Sequence, residues 1–281
     1  MVASFSLIVA LLASRPASDL FLAVAGQLRS PSGKEFRTAV WMTNLTMQRT
    51  TVLATFLERH PLKSPAATVV IGLGPRETKE IDDLPVRLGR YGVVGAIRFQ
   101  SDQRIAVTAR IYSTTPLGQS TGVGMRVVPV RAGLKKGDEG FIPGVSFDGG
   151  KSFRQTTYLV ETGGRPIGLL MRLRDAAGRE VAHDSFLLEA HEQRSLPIEE
   201  LARGASVHNG VISIRVTGGS GRVDALGLQI PARNSEGYFV EMTVRRSGRR
   251  FGMSTAEVAI YALTALAVVA AILFARREPR E

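Results

Sequence analysis

The four histidines, His60, His183, His191 and His208, stand far apart in the chain. None pairs with another at i, i+4 or sits beside a glutamate in an H-E-x-x-H pattern, so the converging ligands of a metal site are missing. His191 is expected in a turn and His208 in a loop. Cysteine is absent, which removes thiolate metal sites, iron–sulfur clusters, disulfides and thiol nucleophiles. The nucleophile elbow G-x-S-x-G does not occur. Its nearest approach, Gly144 to Gly149, reads as a strand running into a Gly149-Gly150 turn, and no spacing supports a triad of Ser146, Asp148 and His183. Val69 to Gly74 (VVIGLG) places G-x-G after a strand, but Pro75 and RETKE follow where a phosphate site needs a helix to open. Asp82-Asp83 is echoed by Glu199-Glu200, which favours a shared structural corner over a calcium or acid–base site. Asn44-Leu45-Thr46 is a glycosylation sequon for a host that uses one. What remains is a basic cluster, Arg245, Arg246, Arg249 and Arg250. It suits contact with anionic lipid headgroups or an acidic envelope polymer, at up to about 1 kcal/mol per arginine. No catalytic residue, cofactor site or metal site is assigned, and the chain is expected not to be an enzyme.

The elements that would carry these residues are strands. TTVLATFL (50–57), VVGAIRF (93–99) and RIAVTARIY (104–112) are short β-branched and aromatic runs separated by Gly, Pro and polar turns. The chain also matches itself at a shift of 117. Phe36-Arg37 falls on Phe153-Arg154, Trp41 on Tyr158, Ile81-Asp82-Asp83-Leu84 on Ile198-Glu199-Glu200-Leu201, and Ile97-Arg98 on Ile214-Arg215. The register slips by one near Arg104. An ungapped match of this length predicts a duplicated unit. A single sheet with one apolar face is unstable alone, so each copy of seven or so strands is expected to pack as two sheets about 10 Å apart. The bridge RAGLKKGDEG (131–140) is polar and flexible in composition, which places the boundary there, and residues 19–135 expressed alone are expected to unfold cooperatively.

The 281 residues carry 36 Lys+Arg against 25 Asp+Glu, a net charge of +11, with 44% apolar and 22% charged residues. That balance excludes disorder. Nucleic-acid binding is disfavoured because the aromatic residues, one Trp, five Tyr and twelve Phe, do not interleave with the basic ones. Val258 to Ala275 (VAIYALTALAVVAAILFA) has no polar face. Counted from Ser254, it is long enough for a helix rising about 1.5 Å per residue to cross a hydrocarbon layer of about 30 Å. Ser254 and Glu257 form a capping-box pattern, and Arg276-Arg277 close the segment. At the other end, Ser4 to Ala13 (SFSLIVALLA) has the length of a signal-peptide core. No Lys or Arg precedes it, however, and Arg15 and Pro16 crowd the cleavage region, so a first strand is the other reading.

FRTAVWMTNLT…TTVLATFL…GPRETKEIDDL…GAIRFQSDQRIAVTARIY, repeated as FRQTTYLVET…GLLMRLRDAAGRE…SLPIEEL, resembles tandem extracytoplasmic immunoglobulin-like β-sandwich modules of bacterial surface proteins. The resemblance covers residues of roughly 20 to 230 and implies a secreted, non-catalytic module; it transfers no binding residues. That family often ends without a membrane span, so the apolar tail is a departure. The expected organisation is all-β, with two tandem immunoglobulin-like β-sandwich domains and one C-terminal transmembrane helix. It comprises a signal peptide (1–18), a first sandwich (19–135), a second (136–235), a basic juxtamembrane segment (236–253), the transmembrane helix (254–275) and a cytoplasmic tail (276–281). The expected function is that of a single-pass, membrane-anchored protein presenting both sandwiches in the periplasm or at the cell surface. Its partners would be the lipid bilayer through the helix, and an envelope protein or acidic polymer. An envelope assembly chaperone or secretion accessory protein is the alternative.

Overall fold

The computed structural model describes residues 17–29, 35–58, 66–114, 120–231 and 237–247. The fold is all-β. The first half contains β1 (Ser18–Arg29), β2 (Glu35–Asn44), β3 (Thr50–Glu58), β4 (Thr68–Leu73), β5 (Thr78–Ile81), β6 (Val93–Ser101), β7 (Ile105–Thr114), β8 (Ser120–Met125) and β9 (Val127–Pro129). The second contains β10 (Glu139–Phe147), β11 (Phe153–Glu161), β12 (Ile167–Arg174), β13 (Glu180–Leu188), β14 (Gln193–Pro197), β15 (Val207–Gly219), β16 (Val223–Pro231), β17 (Tyr238–Glu241) and β18 (Thr243–Arg245). Two short helices, α1 (Leu84–Arg87) and α2 (Ile198–Ala202), follow the fifth strand of each half.

Strand order repeats from one half to the other. In the first half, β4-β3-β6-β1 forms one layer with β9 on the other edge of β1, and β5-β2-β7-β8 forms the second. β1 joins the layers by pairing with β6 along most of its length and with β2 at its end. The second half arranges β13-β12-β15-β10-β18 and β14-β11-β16-β17 in the same sequence of neighbours, here as separate sheets. All pairings are antiparallel. The 117-residue periodicity is therefore a repetition of nine strands, with registers that drift. Thr50 faces Leu73, while its counterpart Ile167 faces Leu188, two residues short of the strict shift.

Alternation explains most strands. In β12, Ile167, Leu169, Met171 and Leu173 are buried while Arg172 and Arg174 on the other face are not. β1 differs, since Phe21 through Ala25 are all buried, the pattern of a strand covered on both faces. In β11, Leu159 belongs to the second half's core, whereas Val160 lies in the core of the first half together with Leu226 of β16. Tyr158 and Phe239 pack against that same first core. The β14-β11-β16-β17 sheet is thus sandwiched between its own partner sheet and the first copy.

This packing changes the expected organisation in three places. The bridge at 131–140 is bolted down: Leu134 is fully buried in the second core, and its N–H and C=O bond to Val223 at 2.7 and 3.0 Å. An apolar side chain and a two-bond bridge to β16 outweigh the polar composition. The second copy also runs past residue 235, because β17 and β18 lie inside the stretch assigned to the juxtamembrane segment. Met242, between them, is buried in the second core. Finally, both copies fall in one compact unit that ends at Arg245, rather than in two separable ones. Of the second unit, Arg246 to Glu281, only Arg246 and Ser247 are described.

Among the described residues no helix is long and apolar enough to cross a membrane. The expected span at 254–275, the tail at 276–281 and residues 1–16 of the expected signal peptide lie outside the described residues.

Candidate functional site

A cleft of about 580 Å³ opens where the two copies meet. Its floor is the outward face of the second copy, formed by Tyr158 on β11, Leu228 and Ile230 on β16 and Phe239 on β17. The facing wall comes from the first copy, with Val24 and Leu28 of β1, Phe36 of β2 and Val94 of β6. β1 opens this wall as it leaves β6 for β2, through an irregular register between Leu22 and Ala25. The remaining side is the β7–β8 ribbon, which brings Arg110, Tyr112, Ser113, Ser120 and Thr121. Gly122 lets β8 run close there: a Cβ at that position would sit 2.6 Å from the Ile111 carbonyl oxygen and from Cβ of Tyr112.

That ribbon carries polar groups on both faces: Ser113 and Thr121 stand on the face shared with Phe36 and Ile111, and Arg110 and Tyr112 on the opposite one. Ser113 Oγ and Thr121 Oγ1 lie 3.3 Å apart. Arg110 places its guanidinium over the Tyr112 ring at 5.6 Å and donates from Nη2 to the Ser120 carbonyl at 3.4 Å. No carboxylate pairs with Arg110 among the described residues. The Tyr112 hydroxyl donates to Asp82; burial first, then this bond, push the phenol up to about 12, so it stays protonated. Asp83 caps α1 by accepting from Val86 N–H, and burial raises its carboxyl to about 6. The first acidic pair is therefore a corner, as its repetition implied. In the second copy Glu199 and Glu200 occupy the first turn of α2.

Elsewhere along the junction, polar groups join the copies. Arg98 of β6 makes a two-pronged bond to Asp19 of β1 at 2.6 and 2.8 Å, and its Nη1 lies 3.2 Å from His191 Nε2 in the second copy. Since the guanidinium only donates, that contact requires an unprotonated Nε2. The ring stacks on Phe21 at 6.0 Å. Burial, and next the Arg98 charge, hold the imidazole below its usual value. Glu161, fully buried, accepts backbone N–H bonds from Gly163, Gly164, His191 and Arg222 at 2.7 to 3.0 Å, tying three loops together. Its counterpart at the 117-residue shift is Asn44, also fully buried. Asn44 Nδ2 donates to the carbonyls of Gln48 and Gly74, and its Oδ1 accepts from Thr46 N–H. The sequon asparagine is thus an internal bracket. A second link pairs Arg126 with Asp224 at 3.4 Å, and burial raises the Asp224 carboxyl to about 6 despite that partner.

The structure separates the other residues singled out in the sequence. Ser146 Oγ accepts from Asn209 N–H, Asp148 accepts from Ser152 N–H, and His183 on β13 pairs with Glu180 at 2.8 Å. β12 and β15 lie between β13 and β10, a distance of about 14 Å at about 4.8 Å per strand, so no triad assembles. His208 lies in β15 rather than in a loop, exposed. Val69–Leu73 runs through β4 into a turn. Arg245, one of the four arginines expected to meet an anionic surface, pairs with Glu139 and lies 5.7 Å over the Phe141 ring. Arg246 follows β18, while Arg249, Arg250 and His60 lie outside the described residues. No group of three metal-ligating side chains occurs among the described residues. The sequence reading missed the cleft, although the continuous apolar run LFLAVAG in β1 and the two-faced YLV in β11 carried a signal for it.

No family model matches the chain, and no curated protein does. Among solved structures, a lectin from Pleurotus ostreatus in complex with GalNAc aligns over 83% of this chain and 84% of its own, at 12% identity and a TM-score of 0.18. The apo form of Pleurotus ostreatus lectin aligns over 83% and 86%, at 11% identity and a TM-score of 0.19. A likeness that loose carries no argument about fold or function.

Proposed function

We propose that the chain is a membrane-anchored extracytoplasmic binding protein whose two immunoglobulin-like copies form one body around a ligand cleft. The observation that carries this reading is the cleft itself, which is apolar on two sides, polar on one and built by both copies. Its volume falls within the range of about 300–1,000 Å³ typical of small-molecule sites. The likeness to an immunoglobulin sandwich lies in the two antiparallel layers. Strand order differs, because β1 lies chiefly beside β6, whereas an immunoglobulin domain places its first strand beside its second. The anchor rests on the Ser254–Ala275 sequence, and the extracytoplasmic side on the Ser4–Ala13 run. Alkaline carbonate washing should leave the full-length protein in the membrane pellet, and protease applied to cells with a permeabilised outer layer should digest the β body while sparing cytoplasmic markers. Release of the intact chain by carbonate contradicts the anchor, and protection of the body contradicts the topology.

A chaperone role is the second reading. Each of β8 and β17 pairs with only one neighbouring strand among the described residues, which leaves edges able to accept an extended peptide. Co-purification of a nascent envelope subunit paired along β8 would favour it.

A further inference from the structure

We infer that the outer face of the β13-β12-β15-β10-β18 sheet lies against an anionic lipid bilayer, with Arg172, Arg174, Arg215 and Arg245 among the headgroups. This rests on the reading of the chain as membrane-anchored and names the surface that meets the membrane. The register fixes which side chains share the face. Leu169, Met171 and Leu173 of β12 stand opposite Val216, Ile214 and Ile212 of β15, and all six are buried in the second core. The residues between them therefore point outward. One row across the sheet runs Ser185, Leu170, Arg215, Glu139, Arg245, and the next runs His183, Arg172, Ser213, Phe141, Thr243. Arg174, Val211 and Pro143 belong to a third. Of the two carboxylates on this face, Glu139 pairs with Arg245 and Glu180 with Arg172. Arg174 and Arg215 have no carboxylate partner among the described residues.

The repeat shows what such a face does elsewhere in the molecule. Its counterpart on the first copy seats the second copy, and Arg98, which matches Arg215 at the 117-residue shift, is held there by Asp19 and His191. On the second copy the same face is the outermost layer of the described residues, Arg215 is exposed, and Lys136 stands at the position of Asp19. A second chain fits it poorly, because the free face of β2 and β7 would bring Arg37 and Arg110 against these arginines. A soluble polyanion would pair with the charges but leave Leu170, Phe141 and Val211 in water. A headgroup layer satisfies both, since phosphates meet the guanidinium forks while apolar side chains and arginine stems enter the acyl boundary. The chain also leaves β18 from the edge of this sheet. Residues 246–253 separate Arg245 from the Ser254–Ala275 run, a reach of about 30 Å when fully extended, so the bilayer that takes the run is within range of the face.

The chain has no cysteine, so single sites can be labelled for the test. The full chain carrying Ser185→Cys on this face, or Thr108→Cys at an exposed site on β7, is labelled with a nitrobenzoxadiazole fluorophore. It is incorporated into nanodiscs of phosphatidylcholine, with or without one third phosphatidylglycerol, that contain a headgroup spin-labelled lipid as quencher. Quenching is expected at Ser185 in the anionic discs and not at Thr108. It should fade as ionic strength rises from about 0.1 to about 1 M, where the screening length falls from about 10 to about 3 Å. Arg174→Gln with Arg215→Gln should lower the docked-to-undocked ratio about 25-fold, at about fivefold per arginine. Arg49→Gln with Arg104→Gln, which removes the same charge from exposed sites on the first copy, should leave the ratio unchanged. Equal quenching at both labels, or quenching indifferent to phosphatidylglycerol and to the Arg174 and Arg215 substitutions, overturns the inference while the anchor stands. Failure of the chain to co-elute with the discs removes the anchor, and Ser185 quenching on added phosphatidylglycerol vesicles then decides the face by itself. Binding of soluble poly-L-glutamate through Arg174 and Arg215, without quenching at Ser185, would give the face to an acidic polymer and overturn the inference as well.

Discussion

Glu161 holds its carboxylate against four backbone N–H donors, and its counterpart Asn44 does a related task with an amide that both donates and accepts. The two positions share a place in the repeat but not a chemistry. A carboxylate suits a nest of donors, and an amide suits a mixed set. Glu161→Gln would turn an NH₂ toward donors and leave at least one buried N–H unpaired, so it should lower stability by about 2–3 kcal/mol, read as a shift in denaturant midpoint. Opposed pH effects follow from the two junction groups. His191 binds its proton more weakly in the fold than in the unfolded chain, so its contribution is fully present above 6.5 and is lost as pH falls. Asp224 is raised to about 6, so its contribution is present below 3.8 and is lost as pH rises through about 6. The stability difference between the parent and His191→Gln, which keeps an acceptor for Arg98, should therefore change in the parent's disfavour on acidification. The difference from Asp224→Asn should change in the parent's disfavour between about pH 4 and 6 as pH rises. Flat difference curves would remove both assignments.

At the scale of elements, β1 and β11 decide the architecture. β1 lies within a continuous apolar stretch because both of its faces are covered, and β11 is two-faced because Leu159 belongs to one copy's core and Val160 to the other's. Leu226→Ala on the neighbouring strand β16 should cost about 2 kcal/mol or more in thermal unfolding of the full chain. Because Leu226 enters the first copy's core from the second copy's sheet, this loss should appear as a downward shift of one transition shared by both copies. A melt in which only the second copy loosens would contradict that packing. Much of the rest was legible in sequence: the strands from their alternation, the turns from Gly149-Gly150, whose φ angles are 77° and 78°, and the acidic corner from its recurrence. The bridge was not. Its lysines and glycines speak of solvent, and one leucine, Leu134, fixes it. The cleft was hidden for a related reason, because residues 24, 113, 158 and 239 converge only once the copies dock, and periodicity along one strand says nothing about a neighbouring module.

On the scale of the whole molecule, the described residues form a repeated nine-strand unit docked on its own copy through an apolar sheet face and a set of charged links. A first copy expressed alone would expose the surface that Val160, Leu226 and Phe239 cover. Residues 19–135 in isolation should therefore aggregate or melt well below the full chain, in contrast to what the repeat alone implies. The central claim, that the two copies fold as one body, has a built-in reporter. The single tryptophan, Trp41, stands on β2 in the first copy, while Glu161 is buried in the second. Urea unfolding of the full-length Glu161→Gln protein, followed by Trp41 fluorescence and by far-ultraviolet circular dichroism, should give one transition whose midpoint falls by the same amount in both signals. A Trp41 midpoint left at the parent's value, beside a biphasic dichroism curve, would mean that the copies unfold independently and would contradict the account.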